Sequence, residues 1–474
     1  MAFKDIREFI SKLEVEREVQ RMEEEVDWNL EVGAITRWSN EARLPAPFFQ
    51  KIKGYPSGYR IFGEPLSNHR RIAIAMGIDP NTPAKELIQE YLKRKQRPIK
   101  PVLVSDGPCK ENIRLGGDVN LFEFPVPFMH QGDGGRYIGT WHITVCKDLD
   151  SDWVNWGMYR HMVHNKNTLG LLAGPPTHAR RILKNWEDRG RPMEIAIAIG
   201  VEPISTFLAA APVPYGVSEV DVVGGIRSEP IELTKCETVN LEVPATSEIV
   251  IEGEVPLDET MEEGPFGEYT GYVGGHKERR LVIHVKAITF RNNPILTTMN
   301  EGMPVTSTHA TQSVTRSAEC YEMLKALGIA VTGVYEFAEA CTLLVVVAIR
   351  AGLARADEVA FAIWSSRLRA NTPYVIIVED DVDPFDLKQV IHAVVSKCHP
   401  YRGIVKMERT TGTALMPWLS RYEQKHLLGA KAYFDCTWPT DWDPSEVPQK
   451  CSFRNIYPLD VQQKALTKWR NYGY

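Results

Sequence analysis

Two carboxylates in Glu263-Gly264-Pro265-Phe266-Gly267-Glu268 form the pattern in this chain best suited to chemistry. Glycines flanking the Pro-Phe pair open backbone conformations closed to other residues, and Pro265 fixes one φ angle, so the turn is stiff. Such a turn can hold two acids in set positions. Paired carboxylates divide orientation and proton transfer between them when their surroundings push their pKa values apart. The plainer alternative is a hairpin with two solvated glutamates.

Three other stretches carry ligand-type side chains. Residues 153–162 combine the amide of Asn155 with the cation of Arg160, around Trp156, Gly157, Met158 and Tyr159. Residues 172–179 put Thr177 and His178 at the start of an expected helix, where free N–H groups and the helix dipole favour a phosphate. Residues 209–219 run from the small side chains Ala209, Ala210, Ala211 and Pro212, which let backbone approach a flat ligand, to Glu219. Asn155, His178 and Glu219 make a mixed N/O donor set, better matched to Mn2+ or Mg2+ than to structural zinc with its usual thiolates. Asp221 is an acidic alternative to Glu219.

These segments need a scaffold, and composition bounds it. A chain of 474 residues, 43% hydrophobic and 24% charged, fits a globular protein of about three domains. Its formal net charge of −6 gives no electrostatic reason for a nucleic-acid or anionic-membrane partner. Eight scattered cysteines without CxxC spacing suit neither a zinc ribbon nor a disulfide framework. The charged start at 1–9 is no signal peptide, and the most apolar run, 343–349, is too short to span a bilayer. A cytoplasmic location is expected.

Phe3, Ile6, Phe9, Ile10 and Leu13 recur at helical spacing. Turn plus strand is expected over 51–62, a helix over 83–95 and an interdomain linker over 97–101. Strand patterns follow at 140–146, 194–199, 248–254 and 281–290, interrupted by one helix at 176–188. That middle third reads as an antiparallel β-barrel or sandwich. Beyond it, helices over 313–327, 356–369 and 384–397 alternate with strands over 343–349 and 374–378, followed by a tail helix over 460–472. The expected units are 1–115, 116–304, 305–450 and the tail 451–474.

The order Asn155-x4-Arg160, Pro175-x-x-His178, Ser218-Glu219-x-Asp221-x-x-Gly224-x-Ile226-Arg227 and Glu263-to-Glu268 resembles the UbiD-like decarboxylases. The resemblance spans nearly the whole chain, including 244–250, 293–295 and 378–383. It implies an α+β multidomain fold: an N-terminal α/β domain, a central antiparallel split β-barrel of flavin-reductase type that binds the cofactor, and a C-terminal α/β domain for oligomerisation with a terminal helix. The implied reaction is reversible non-oxidative decarboxylation through a covalent adduct with prenylated FMN. Asn155, His178 and Glu219 match the ligands of Mn2+ (or Mg2+) bridging the cofactor phosphate. K+ would draw on backbone oxygens around Trp156 and Ala209 to Ala211, and on Glu219. The cofactor site would also take in Gly157, Met158, Tyr159, Arg160, Thr177 and Pro212. Arg367, Arg369 and Lys406 are candidate cations for the phosphate.

Arg160, Glu263 and Glu268 match the family's Glu-Arg-Glu catalytic set. Arg160, held by Glu263, would orient the substrate carboxylate, and Glu268 would donate the proton that replaces CO2. That role needs a carboxyl whose pKa burial has raised, with Phe266 contributing. Segment 300–316 matches the family's substrate wall, here polar through Thr308, His309 and Gln312 with Arg316 more distant; alternatively 306–311 merely caps a helix. Hydroxybenzoates, pyrrole carboxylate and a furan dicarboxylate are the expected acids, with a phenylacrylate or polyprenyl-hydroxybenzoate as the alternative. A flavin prenyltransferase would supply the cofactor to a homodimer or homohexamer. Outside the family, the same carboxylates suit a hydrolase, or the fold a non-catalytic flavin carrier.

Overall fold

Asp5 caps the first helix, Ile6–Val15, by accepting from the Glu8 N–H, and Ile6, Phe9, Ile10 and Leu13 are buried on one face. This computed structural model describes residues 2–174, 177–274 and 276–473, with the side chains of 369 and 370 left aside. The helix packs near a four-stranded sheet of Val19–Val26, Ala46–Ile52, Arg60–Gly63 and Ile295–Thr298. Its fourth strand comes from the far end of the middle third and pairs parallel with Arg60–Gly63. Buried Glu248 secures that junction, accepting two bonds from Arg7 at 2.7 and 2.8 Å and the Ile295 N–H at 3.0 Å.

The middle third forms a ten-stranded, curled antiparallel half-barrel. Its main path runs Arg136–Gly139, His161–Asn165, Thr168–Leu171, Glu278–Phe290, Ile249–Val255, Met193–Ile199, His142–Lys147 and Val154–Gly157. Asn112–Leu115 and Thr260–Glu263 also pair with the long strand Glu278–Phe290. Strand 112–115 thus joins this sheet from the expected N-terminal unit. Both faces of the sheet are covered. Along Met193–Ile199, Ala196 and Ala198 enter one apolar cluster while Ile195, Ile197 and Ile199 enter another, as a two-residue period requires.

The expected middle helix appears as His178–Glu187, with Ala179, Ile182, Leu183 and Trp186 buried. Pro175 and Pro176, part of the expected motif and helix start, lie outside the described residues. The segment 97–101 is no free linker. The Ile99 N–H donates to the Asp221 carbonyl at 2.9 Å, and a Cβ on Gly224 would sit 2.3 Å from the Ile99 carbonyl oxygen. It is therefore packed against the helix Glu219–Arg227.

The last third holds a five-stranded sheet ordered Val331–Glu336, Leu344–Ile349, Tyr374–Glu379, Leu428–Cys436, Ile404–Thr411. The three inner strands are parallel and the two outer ones antiparallel to their neighbours. The helix Ser307–Ala326 begins six residues before the expected 313. The tail helix Leu459–Thr467 leaves Val461 and Leu466 exposed. Among the described residues, no helix is long and apolar enough to cross a membrane.

Candidate active site

Glu263 ends the strand Thr260–Glu263, and Phe266–Gly267 pairs with Val273–Gly274 just beyond it. Gly264 has φ +88°, a left-handed conformation that suits glycine. The turn is seated on the preceding loop. The Gly134 N–H donates to the Pro265 carbonyl at 2.7 Å, and Asp133 accepts the Gly267 N–H at 3.0 Å. A Cβ on Gly134 would lie 2.2 Å from the Gly264 oxygen, so the approach is close.

Arg160 lies between the strands Val154–Gly157 and His161–Asn165. Its Nε and Nη2 donate to the two oxygens of Glu263 at 2.9 and 3.0 Å, a fork-to-fork pairing. Its Nη1 contacts Glu268 Oε1. Tyr137 donates its hydroxyl to Glu263 Oε1 at 2.6 Å, while its ring packs on Phe266 with centroids 4.4 Å apart. The Phe266 ring centroid also lies 5.0 Å from the Arg160 guanidinium carbon.

The two acids thus have unequal surroundings. Glu263 is bonded on both oxygens. Glu268 is 6% exposed, and burial pushes its carboxyl up to about 7 against the pull of Arg160, with Glu301 and Glu263 adding like-charge repulsion. The Arg160 contact alone would favour the ionised form; desolvation is the larger effect. Burial, followed by the charge of Glu263, also raises the Tyr137 phenol and keeps it a donor. The Arg160 guanidinium stands between the two carboxylates and takes the space where a glycosidase would place the scissile bond.

A second cluster joins two helix N-termini. His178 opens the helix His178–Glu187, Glu219 opens Glu219–Arg227, and Asn155 lies on the strand Val154–Gly157. Glu219 Oε2 accepts the Trp156 N–H at 2.8 Å, leaving Oε1 3.8 Å from His178 Nδ1. Burial raises the Glu219 carboxyl, a cost that a bound cation would offset. Asp221 is turned to Lys100 at 2.6 Å, so of the two acids Glu219 faces the histidine. Among the described residues no three His, Cys, Asp or Glu gather as metal ligands; the third side chain of this cluster, Asn155, is an amide.

Between these clusters lies a cavity of about 460 Å³. Arg160, Phe266 and Glu268 form one part of its wall, and Met158, Tyr159, Thr177 and Ala209 to Pro212 another. Asn155, Trp156, Gly157, His178 and Glu219 are not wall residues. Gly157 leaves room for the Tyr159 ring, which a Cβ would meet at 2.5 Å.

Thr308 and Gln312 line the cavity as expected, but His309 does not. Because the helix already begins at Ser307, residues 308, 312 and 316 share the cavity face and 309 is rotated off it. His309 Nδ1 accepts the Thr306 N–H at 3.0 Å and Nε2 donates to the Tyr269 carbonyl at 2.6 Å. The ring is fully buried, and burial pushes its pKa down to about 4. The capping alternative therefore describes His309, in a reciprocal box with Thr306.

Arg316 is a wall residue, yet its guanidinium donates to both Glu336 oxygens at 2.6 and 3.2 Å and to the Thr372 hydroxyl at 2.8 Å. Arg367 pairs with Glu319, and Lys406 is exposed on the edge strand Ile404–Thr411; neither lines the cavity. The Arg369 side chain lies outside the described residues. Two contributors escaped sequence reasoning. Tyr137 sits in no motif, and Glu301 lies in segment 300–316 without a spacing that marks it, yet it is 7% exposed and lines the cavity.

The chain is similar to known proteins along nearly its whole length. Three family models match: the N-terminal, Rift-related and C-terminal domains of 3-octaprenyl-4-hydroxybenzoate carboxy-lyase (UbiD), over residues 10–91, 100–304 and 309–436. Pyrrole-2-carboxylic acid decarboxylase of Pseudomonas aeruginosa is 33% identical over 99% of this chain and 98% of its own length. Vanillic acid decarboxylase of Sedimentibacter hydroxybenzoicus superposes with a TM-score of 0.90 in its closed form, at 30% identity over 100% of this chain and 99% of that one. Its open form gives 0.84. The UbiD-class enzyme HmfF of Pelotomaculum thermopropionicum, solved with FMN, gives 0.83 at 29% identity, covering 96% of this chain and 98% of that one. An evolved dimeric form of HmfF was solved with prFMN.

Proposed function

The chain belongs to the UbiD family of carboxy-lyases, and on that premise we propose that it reversibly decarboxylates a small aromatic or heteroaromatic acid with the help of prenylated FMN. One observation carries the reading: Glu263 holds Arg160 by both oxygens, which leaves Glu268 as a buried wall carboxyl with a pKa of about 7. A proton donor at neutral pH needs that value.

When bound, the flavin supplies the electron sink that an sp2 carbon needs to release CO2. The protein supplies the rest. Arg160, buttressed by Glu263 and Tyr137, receives the substrate carboxylate. Glu268 delivers a proton to the ring carbon as CO2 leaves, and in the carboxylation direction takes that proton back. Asn155, His178 and Glu219 would hold Mn2+ or Mg2+ beside the cofactor phosphate, where the N-termini of two helices favour an anion. Backbone oxygens near Trp156 and Ala209 to Ala211, with Glu219, would hold K+. Thr308 and Gln312 make a polar wall suited to hydroxybenzoates, pyrrole carboxylate or a furan dicarboxylate. A flavin prenyltransferase would load the cofactor, and a homodimer or homohexamer is the expected assembly.

The test is coexpression with a flavin prenyltransferase, followed by the absorbance spectrum and mass of the bound ligand and a panel of acids assayed for CO2 release. A flavin-loaded protein that releases CO2 supports the reading. A colourless protein without a flavin-derived mass overturns it, and a coloured protein inert with every acid points instead to a flavin carrier.

A further inference from the structure

Glu301 is a buried carboxylate in the cavity wall that the proton transfer above does not use. Its Oε2 accepts the Thr306 hydroxyl at 2.9 Å, and the Thr308 side chain on the cavity face hydrogen-bonds the same carboxylate. The loop that carries it is tied at both ends by Glu64, which accepts the Asn300 N–H at 2.9 Å and the Ser307 N–H at 2.8 Å. The side chain therefore stands on a fixed backbone. A carboxylate offers about four lone-pair sites, so Glu301 keeps acceptor capacity toward the cavity.

Both cations of the wall are already ion-paired. Among the described wall residues only Arg160 and Arg316 are positive. Arg160 serves Glu263 and Glu268, and Arg316 is bound to Glu336, Thr372 and the Asn371 carbonyl. Arg37, which donates to the Asn300 carbonyl at 3.0 Å, is not a wall residue. A ring acid whose carboxylate takes Arg160 finds in Arg316 a second guanidinium already neutralised by Glu336, whereas a ring N–H or O–H finds an acceptor in Glu301.

Resting on the decarboxylase reading, we infer that Glu301 determines specificity: it accepts a hydrogen bond from a ring N–H or O–H, so the preferred substrates are monocarboxylic acids bearing such a donor, of pyrrole-2-carboxylate or hydroxybenzoate type, and not dicarboxylates. A site built around a substrate donor discriminates strongly against the analogue that lacks it, because its own buried polar group is then left unpaired.

The test uses the flavin-loaded holoenzyme and matched acids: pyrrole-2-carboxylate against furan-2-carboxylate, 4-hydroxybenzoate against benzoate, and furan-2,5-dicarboxylate. Glu301 also repels Glu268, so absolute rates will differ between variants; the ratio of kcat/KM for two acids on one variant cancels that effect. The wild type should favour the donor-bearing acid by about 10- to 100-fold. Glu301→Leu should bring the ratio to within about 3-fold of unity, and Glu301→Gln, which keeps an acceptor oxygen, should retain most of it. An unchanged ratio in Glu301→Leu, or a wild-type preference for the dicarboxylate, overturns the inference. If no acid releases CO2, the decarboxylase reading falls by itself. Calorimetric affinities of wild type and Glu301→Leu for the same pairs then decide the role of Glu301, equal discrimination overturning it and lost discrimination supporting it.

Discussion

Arg160 and Glu263, 103 residues apart in the chain, meet through two parallel hydrogen bonds of 2.9 and 3.0 Å, and the remaining edge of the guanidinium turns to Glu268. That division of one cation between two acids makes them different. Glu263 is held on both oxygens and supports; Glu268 has one partner and a raised pKa.

Glu268 should set the upper pH limit of decarboxylation. The proton donor is the neutral carboxyl, so kcat should fall as pH rises through about 7. Glu268→Gln should lose at least roughly 100-fold in turnover while retaining flavin. The sign for stability is the same: the folded-state pKa lies above the unfolded value of 4.5, so the native state holds more protons between the two, and stability falls as pH rises through about 7. Thermal unfolding at pH 9 should find Glu268→Gln more stable than wild type, by up to roughly 3 kcal/mol, with little difference at pH 4. A flat pH profile in wild type would remove Glu268 as the donor.

Tyr137→Phe deletes the 2.6 Å bond to Glu263 without changing the ring that packs on Phe266. A hydrogen bond to a charged group is worth roughly 1.5–3 kcal/mol. Steady-state kinetics should show kcat/KM reduced about 10- to 100-fold, with flavin content held. Wild-type kinetics in this variant would mean that Glu263 needs no support.

His178→Ala and Glu219→Gln should each cost metal and flavin together, because both would hold the ion at the cofactor phosphate. Elemental analysis of protein purified from Mn2+-supplemented cells, beside the flavin absorbance, measures both. A chelator should release flavin from wild type. Full flavin occupancy without metal would contradict the assignment.

His309→Ala should lower kcat without altering the order of preferred acids, since His309 holds the Tyr269 carbonyl and the helix cap but does not line the cavity. Lost capping should also cost about 1 kcal/mol of stability. Thr308→Val and Gln312→Leu, on the cavity face, should change the preference instead. A changed preference in His309→Ala would return that residue to the substrate wall.

Local chemistry along the chain was sufficient for much of this. The alternation of Met193–Ile199, the apolar face of His178–Glu187 and the glycine-proline turn between Glu263 and Glu268 are all written in spacings of two to five residues. Short-range sterics and side-chain periodicity govern such elements, so their sequence is their signal. The polar edge strand Ile404–Thr411 lacked that signal, because an edge facing solvent needs no apolar period.

Tertiary structure decided which of those side chains meet. Starting the helix at Ser307 turned His309 out of the wall and into a cap. The Glu336 carboxylate took Arg316 from the pool of free cations, and the fold carried Tyr137 to Glu263 and Glu301 to the cavity from positions without any motif. Ile295–Thr298 crossed into the N-terminal sheet for the same reason. Hydrogen bonds and ion pairs between residues 20 to 126 positions apart, such as these, depend on how packed layers bring strands together, and that leaves no periodic trace in the chain.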